Sequence, residues 1–149
     1  MPHTFTRLLY HIVFSTKERL PLLQGEWAAR MHAYLGGIVG NLKGLPIEIG
    51  GVADHVHLFI QMPPTITISE AVNKVKSNSS RWLNEQPGYR DKFAWQEGYA
   101  AFTVSENRFE ETIAYIRGQE AHHKPRGFVD ELKEFLQRNG MSFTEADLL

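Results

Sequence analysis

The residue types in this chain that could do chemistry fall in two short stretches. In the first, His55-Val56-His57 lies within an apolar run; strand side chains alternate, so both imidazoles point to one face. In the second, Tyr115 stands four residues before Gln119, the spacing that places two side chains on one face of a helix. Together they offer two imidazoles, an amide oxygen and a phenol. That is a ligand set for a divalent metal with a nucleophile beside it, as tyrosine-dependent cleavage of nucleic acid requires.

Taken singly, each part also has an ordinary structural explanation. With seven histidines in the chain, a His-x-His pair can arise by chance and be satisfied by hydrogen bonds in a half-buried strand. Asp54 is placed to orient His55, and equally to be a turn residue. Tyr115 fits the rim of a core, Gln119 a surface amide, and His122 and His123 the negative end of a helix dipole. Gly118 is less ordinary, because glycine inside a helix costs about 1 kcal/mol relative to alanine. A close approach by metal, backbone or nucleic acid would account for it. Lys74, Lys76 and Arg81 share one predicted helix and could follow a phosphate backbone or form a solvated face. Phe93, Trp95 and Tyr99 offer either base-stacking surfaces or core.

The elements that must position these residues are legible from pattern. Arg7 to Ser15 is rich in strand formers, and a helix with apolar residues at Trp27, Met31, Leu35, Ile38, Val39 and Leu42 spans about 24–42. Two strands follow over 47–52 and 55–62, joined near Ala53-Asp54 and closed by Pro63-Pro64. Ser69 reads as the N-cap of a helix running to about Asn84. A strand over Tyr99 to Val104 precedes a helix capped by Ser105 and ending near His123, since Lys124 stands before Pro125. A last amphipathic helix covers Val129 to Arg138, with Gly140 as its stop. This order predicts an α+β, ferredoxin-like split βαβ fold: an antiparallel sheet with helices on one face and an extra C-terminal helix.

Composition bounds the rest. At 149 residues with 42% apolar content, the chain suits a single domain over 1–149 with a proper core. It has no cysteine, which excludes disulfides, thiolate metal sites and cysteine catalysis. No signal peptide or membrane span is expected, and the cytoplasm is the expected location. The net charge of −1 argues against a general DNA coat and for modest, site-focused affinity. Glu131, Glu134, Glu145 and Asp147 weight the C-terminal end towards acidity.

Four stretches match a family in order. They are His11-Ile12-Val13-Phe14-Ser15-Thr16-Lys17, Asp54-His55-Val56-His57-Leu58, Trp95-Gln96-Glu97-Gly98-Tyr99-Ala100-Ala101-Phe102, and Tyr115-Ile116-Arg117-Gly118-Gln119-Glu120-Ala121-His122-His123. Through them the chain resembles the single-tyrosine HUH transposases of small bacterial insertion sequences and their relatives associated with repetitive extragenic palindromes. The likeness covers about residues 7–123 and leaves the C-terminal helix and tail, 125–149, outside it. It implies a ferredoxin-like homodimer acting on single-stranded DNA, often beside hairpins. His55 and His57 would be the metal pair, Gln119 the third ligand and Tyr115 the nucleophile. The resemblance and the oxygen-nitrogen ligand set together imply Mg²⁺ or Mn²⁺ rather than structural zinc. The expected reaction is cleavage and rejoining of single strands through a 5′-phosphotyrosine. A domesticated relative that binds hairpin DNA without cutting it, a metallohydrolase independent of the tyrosine and a simple dimeric binding module are the competing readings.

Overall fold

A computed structural model describes residues 3–119 and 127–148. Strand β1 (Leu8–Ser15) leads into helix α1 (Glu26–Asn41), strands β2 (Leu45–Val52) and β3 (His55–Met62), helix α2 (Ile68–Asn84), and strand β4 (Ala100–Thr103). Helix α3 (Phe109–Arg117) and the C-terminal helix α4 (Phe128–Arg138) follow. The sheet order is β2-β3-β1-β4 with every neighbouring pair antiparallel, which is the ferredoxin-like arrangement.

Alternation sorts the two central strands cleanly. Ile12 and Phe14 of β1, with Val56, Leu58 and Ile60 of β3, face α1 and α2. There they pack on Met31, Leu35 and Val39 from α1 and Val72 and Val75 from α2, all buried. Each such large apolar side chain contributes about 1.5–3 kcal/mol on burial. The other face carries Leu9, His11 and Val13 from β1 and His55, His57 and Phe59 from β3. Helices α1 and α2 thus cover one face, as the split βαβ arrangement demands, and α3 and α4 lie against the opposite one. Phe59 and Leu9 form a smaller cluster there with Ile116 of α3.

Two expected caps differ from those observed. Helix α2 is capped by Thr67, whose hydroxyl accepts from the Glu70 amide at 3.1 Å, rather than by Ser69. Ser69 is already inside the helix, and Glu70 three residues after the cap sits where its charge favours the N-terminus. Ser105 precedes a short 3₁₀ turn, Glu106–Arg108, and its hydroxyl bonds the Asn107 side chain instead of capping α3. The helix expected to run to near His123 ends instead at Arg117 with Gly118 as its C-cap, and the roles considered for His122 and His123 lie outside the described residues.

Candidate active site

Strand pairing brings the histidines together. In the β1–β3 register Ser15 faces His55, Val13 faces His57 and His11 faces Phe59, so His11 and His57 are diagonal neighbours on one face. His11 Nε2 lies 2.8 Å from His57 Nδ1, and His55 Nδ1 lies 2.7 Å from Asp54 Oδ1. These contacts engage the Nδ1 atoms and turn both Nε2 atoms to a common point. Such outer partners fix the ring orientation and tautomer of metal-binding histidines. For His55 the orienting role of Asp54 is therefore visible in the geometry; for His57 that part falls to His11.

Helix α3 and the residues just past its end deliver the second half of the set. The helix packs over β2 because Gly50, opposite His57 in the β2–β3 register, has no side chain. A Cβ there would stand 2.8 Å from the Ile116 side chain and 3.0 Å from its carbonyl oxygen. With that close approach, Tyr115 comes beside His57, ring centroids 5.8 Å apart, and Gln119 Oε1 lies 3.2 Å from His55 Nε2. Gly118 marks the end of α3, its amide bonded to the Ala114 carbonyl. All four residues expected from the sequence to form the site, His55, His57, Tyr115 and Gln119, therefore meet within one chain.

A fifth group arrives from α4. Glu131 Oε1 lies 3.0 Å from His57 Nε2 and 3.5 Å from His55 Nε2. Its Oε2 accepts from the Tyr115 hydroxyl and, at 3.3 Å, from Gln119 Nε2. Sequence reading missed it: Glu131 looks like one of several acidic residues near a helix start. The available signal was its place in the apolar stripe of that helix, three residues after Phe128 and four before Phe135. Those two aromatics close the site. Phe128 lies against the His55 ring at 4.5 Å, and Phe135 contacts both His11 and Tyr115, centroids 5.1 and 5.3 Å away.

The cluster is deeply buried: His55 and His57 are 0% exposed, Gln119 1% and Glu131 2%. Burial pushes the Glu131 carboxyl up, but hydrogen bonds from His55, His57 and Tyr115 and attraction to His57 hold it well below the usual carboxylate range. Burial opposes a charged His55, yet its bonds to Asp54 and Glu131 raise it above the ordinary imidazole value. Buried beside His57, His11 is lowered to about 3, with Glu131 opposing the shift. A sealed anionic oxygen, two imidazole Nε2 atoms and an amide oxygen fit a hard or borderline divalent cation. The ligand atoms of His55, His57 and Glu131 lie within 4.8 Å of one another.

The basic residues stand elsewhere. Lys74, Lys76 and Arg81 belong to α2, across the sheet from the histidines. Lys76 Nζ donates to the carbonyls of Gln96 at 2.6 Å and Gly98 at 2.8 Å, and Arg81 donates to Asn78 at 2.5 Å. Of the aromatics considered for stacking, Phe93 and Trp95 are in the core and Tyr99 is exposed.

With this geometry in view, comparison with known proteins is direct. The family described as IS200-like transposases matches residues 4–119, a span that holds His55, His57, Tyr115 and Gln119 and stops before Glu131. The chain belongs to the IS200-like transposase family. Its function is accordingly that of a DNA transposase. The chain is 31% identical over 112 residues to the transposase of insertion sequence element IS200 from Salmonella typhimurium, covering 72% of this chain and 74% of that protein. It is 30% identical over 120 residues to the ISDra2 transposase TnpA of Deinococcus radiodurans, covering 76% and 84%. A solved structure from Deinococcus radiodurans R1 superposes with a TM-score of 0.61 at 26% identity, covering 80% of this chain and 95% of that one. A REP-associated tyrosine transposase bound to a REP hairpin shares the fold, with a TM-score of 0.61 at 11% identity, covering 83% and 73%. Among the described residues, no helix is long and apolar enough to cross a membrane.

Proposed function

We propose that the chain cleaves and rejoins single-stranded DNA through a covalent 5′-phosphotyrosine on Tyr115, with a divalent ion, Mg²⁺ or Mn²⁺, held by His55, His57 and Gln119. One observation carries this reading: within a single chain, the Tyr115 hydroxyl and both histidine Nε2 atoms converge on one buried carboxylate. The ion, when bound, would polarise the scissile phosphate and offset charge building on its oxygens. Tyr115 Oη forms the bond to phosphorus and the P–O3′ bond breaks. The 3′ oxygen leaves as a hydroxyl, the phenol proton balancing it. Because the phosphodiester energy stays in the tyrosine ester, a second 3′-OH reverses the step without ATP.

The substrate in this reading is a hairpin-bearing single strand, in line with the REP hairpin bound to the solved fold relative. Lys74 and Arg81 on α2 are proposed as distant phosphate contacts, and Lys76 as the residue that holds the 96–98 loop. A homodimer working in the cytoplasm belongs to the same proposal, and light scattering of the purified protein tests its stoichiometry. The chemistry is tested with 3′-labelled single strands from both flanks of the gene, incubated with Mg²⁺ or Mn²⁺ and run on a denaturing gel. A labelled protein–DNA band that disappears in Tyr115→Phe and on adding chelator supports the reading. DNA binding without any adduct favours the domesticated binder, and cleavage persisting in Tyr115→Phe favours hydrolysis.

A further inference from the structure

We propose that Glu131 is a positioning residue for the strand-transfer reaction: one carboxylate oxygen ligates the ion and the other holds the Tyr115 hydroxyl beside it, making α4 part of the catalytic centre. The inference rests on the metal-dependent reading above and adds a residue outside the stretch shared with the family, which ends at residue 119.

Three observations carry it. The carboxylate is divided between two tasks, Oε1 facing both histidine Nε2 atoms and Oε2 facing the Tyr115 hydroxyl. A single rigid group therefore spans ligand and nucleophile, and the position of one sets the position of the other. Next, the carboxylate is buried in an apolar helix face, where an anion left unpaired is costly and a cation among the same donors offsets that cost. Finally, α4 is fastened from both ends of the site: Phe128 lies on the His55 ring and Phe135 on His11 and Tyr115. Tyr115 itself is only partly buried, unlike the ligands it stands beside.

The obvious alternative is that α4 is a cover that must leave before DNA enters, Glu131 merely occupying the phosphate's place. The two accounts predict opposite effects of the same substitutions. The test uses the full chain carrying Glu131→Gln, which keeps volume and an acceptor oxygen, and Glu131→Ala, with circular dichroism to verify the fold. Titration with Mn²⁺ alone by calorimetry is the first readout, and adduct formation with the labelled flanking strands the second. We expect Mn²⁺ affinity to fall at least about 10-fold in both variants, since losing a ligand costs no less than losing a ligand's outer partner. Adduct formation should fall in both, more in Glu131→Ala, and recover partly in Glu131→Gln at raised Mn²⁺. Unchanged Mn²⁺ affinity in a folded Glu131→Gln protein would overturn the ligand assignment. Faster adduct formation in Glu131→Ala would overturn the positioning role and identify α4 as a cover. The calorimetric arm decides the ligand question even if the wild-type chain makes no adduct, so failure of this inference and failure of the transposition chemistry are distinguishable.

Discussion

Single substitutions would separate the proposed metal binding from the proposed bond making in this site. Tyr115→Phe deletes only Oη, so Mn²⁺ affinity should be retained while the covalent adduct is lost; calorimetry and a denaturing gel on the same preparation check both. Asp54→Asn leaves every proposed ligand in place but weakens the acceptor that orients His55. Loss of such an outer partner costs about 10–100-fold in metal affinity, and the same calorimetry would read it. The histidine pair was legible in the sequence because period-two alternation alone puts His55 and His57 on one face. Glu131 was not. It lies 74 residues from His57, and no local pattern reports a contact across that separation. Acidic residues at a helix start are ordinarily explained by the dipole, which hid a carboxylate turned inward.

At the scale of elements, glycine at position 50 sets the distance between α3 and the sheet. Gly50→Ala forces the Ile116 backbone away from β2. We expect a loss of about 1–3 kcal/mol by urea denaturation, together with slower adduct formation as Tyr115 is displaced from His57. Thr67→Ala removes the cap of α2 and should cost about 1 kcal/mol, with the adduct rate unchanged because α2 is across the sheet from the site. Strand β3 spans 55–62 in the structure as in the sequence pattern, since an apolar run bounded by Asp54 and Pro63 leaves little freedom. The cap was misplaced because serine and threonine two residues apart compete for one role, and only backbone geometry decides between them. The sequence reading put the helices on one face, whereas α3 and α4 lie on the other: both are short amphipathic helices, and either face of a sheet can accept them.

For the whole molecule, the fold places the phosphate contacts proposed on α2 and the buried histidine centre on different faces of the sheet. The sheet's one side is an ordinary hydrophobic core under α1 and α2; the other holds a polar, buried centre closed by α4. Acid should weaken this molecule through His32 and His11, both held below the ordinary imidazole value by burial. His32, half-buried with its Nε2 enclosed and without a hydrogen-bond partner among the described residues, is lowered by burial to about 4 from an ordinary 6.5. The unfolded chain therefore takes up a proton at higher pH than the folded one, and the stability His32 contributes is present above pH 6.5 and lost as pH falls towards 4. His32→Leu should flatten that limb of a urea-midpoint profile, and His11, displaced in the same direction, should keep part of it. The low net charge predicts that DNA affinity rests on few phosphate contacts, and so a shallow dependence on salt. The proposed chemistry turns on a covalent bond from DNA to one tyrosine. Proteolysis of the Mn²⁺-dependent adduct followed by tandem mass spectrometry tests it most directly. We expect a phosphonucleotide on Tyr115 and on no other residue; the modification on another side chain would contradict the Tyr115 assignment.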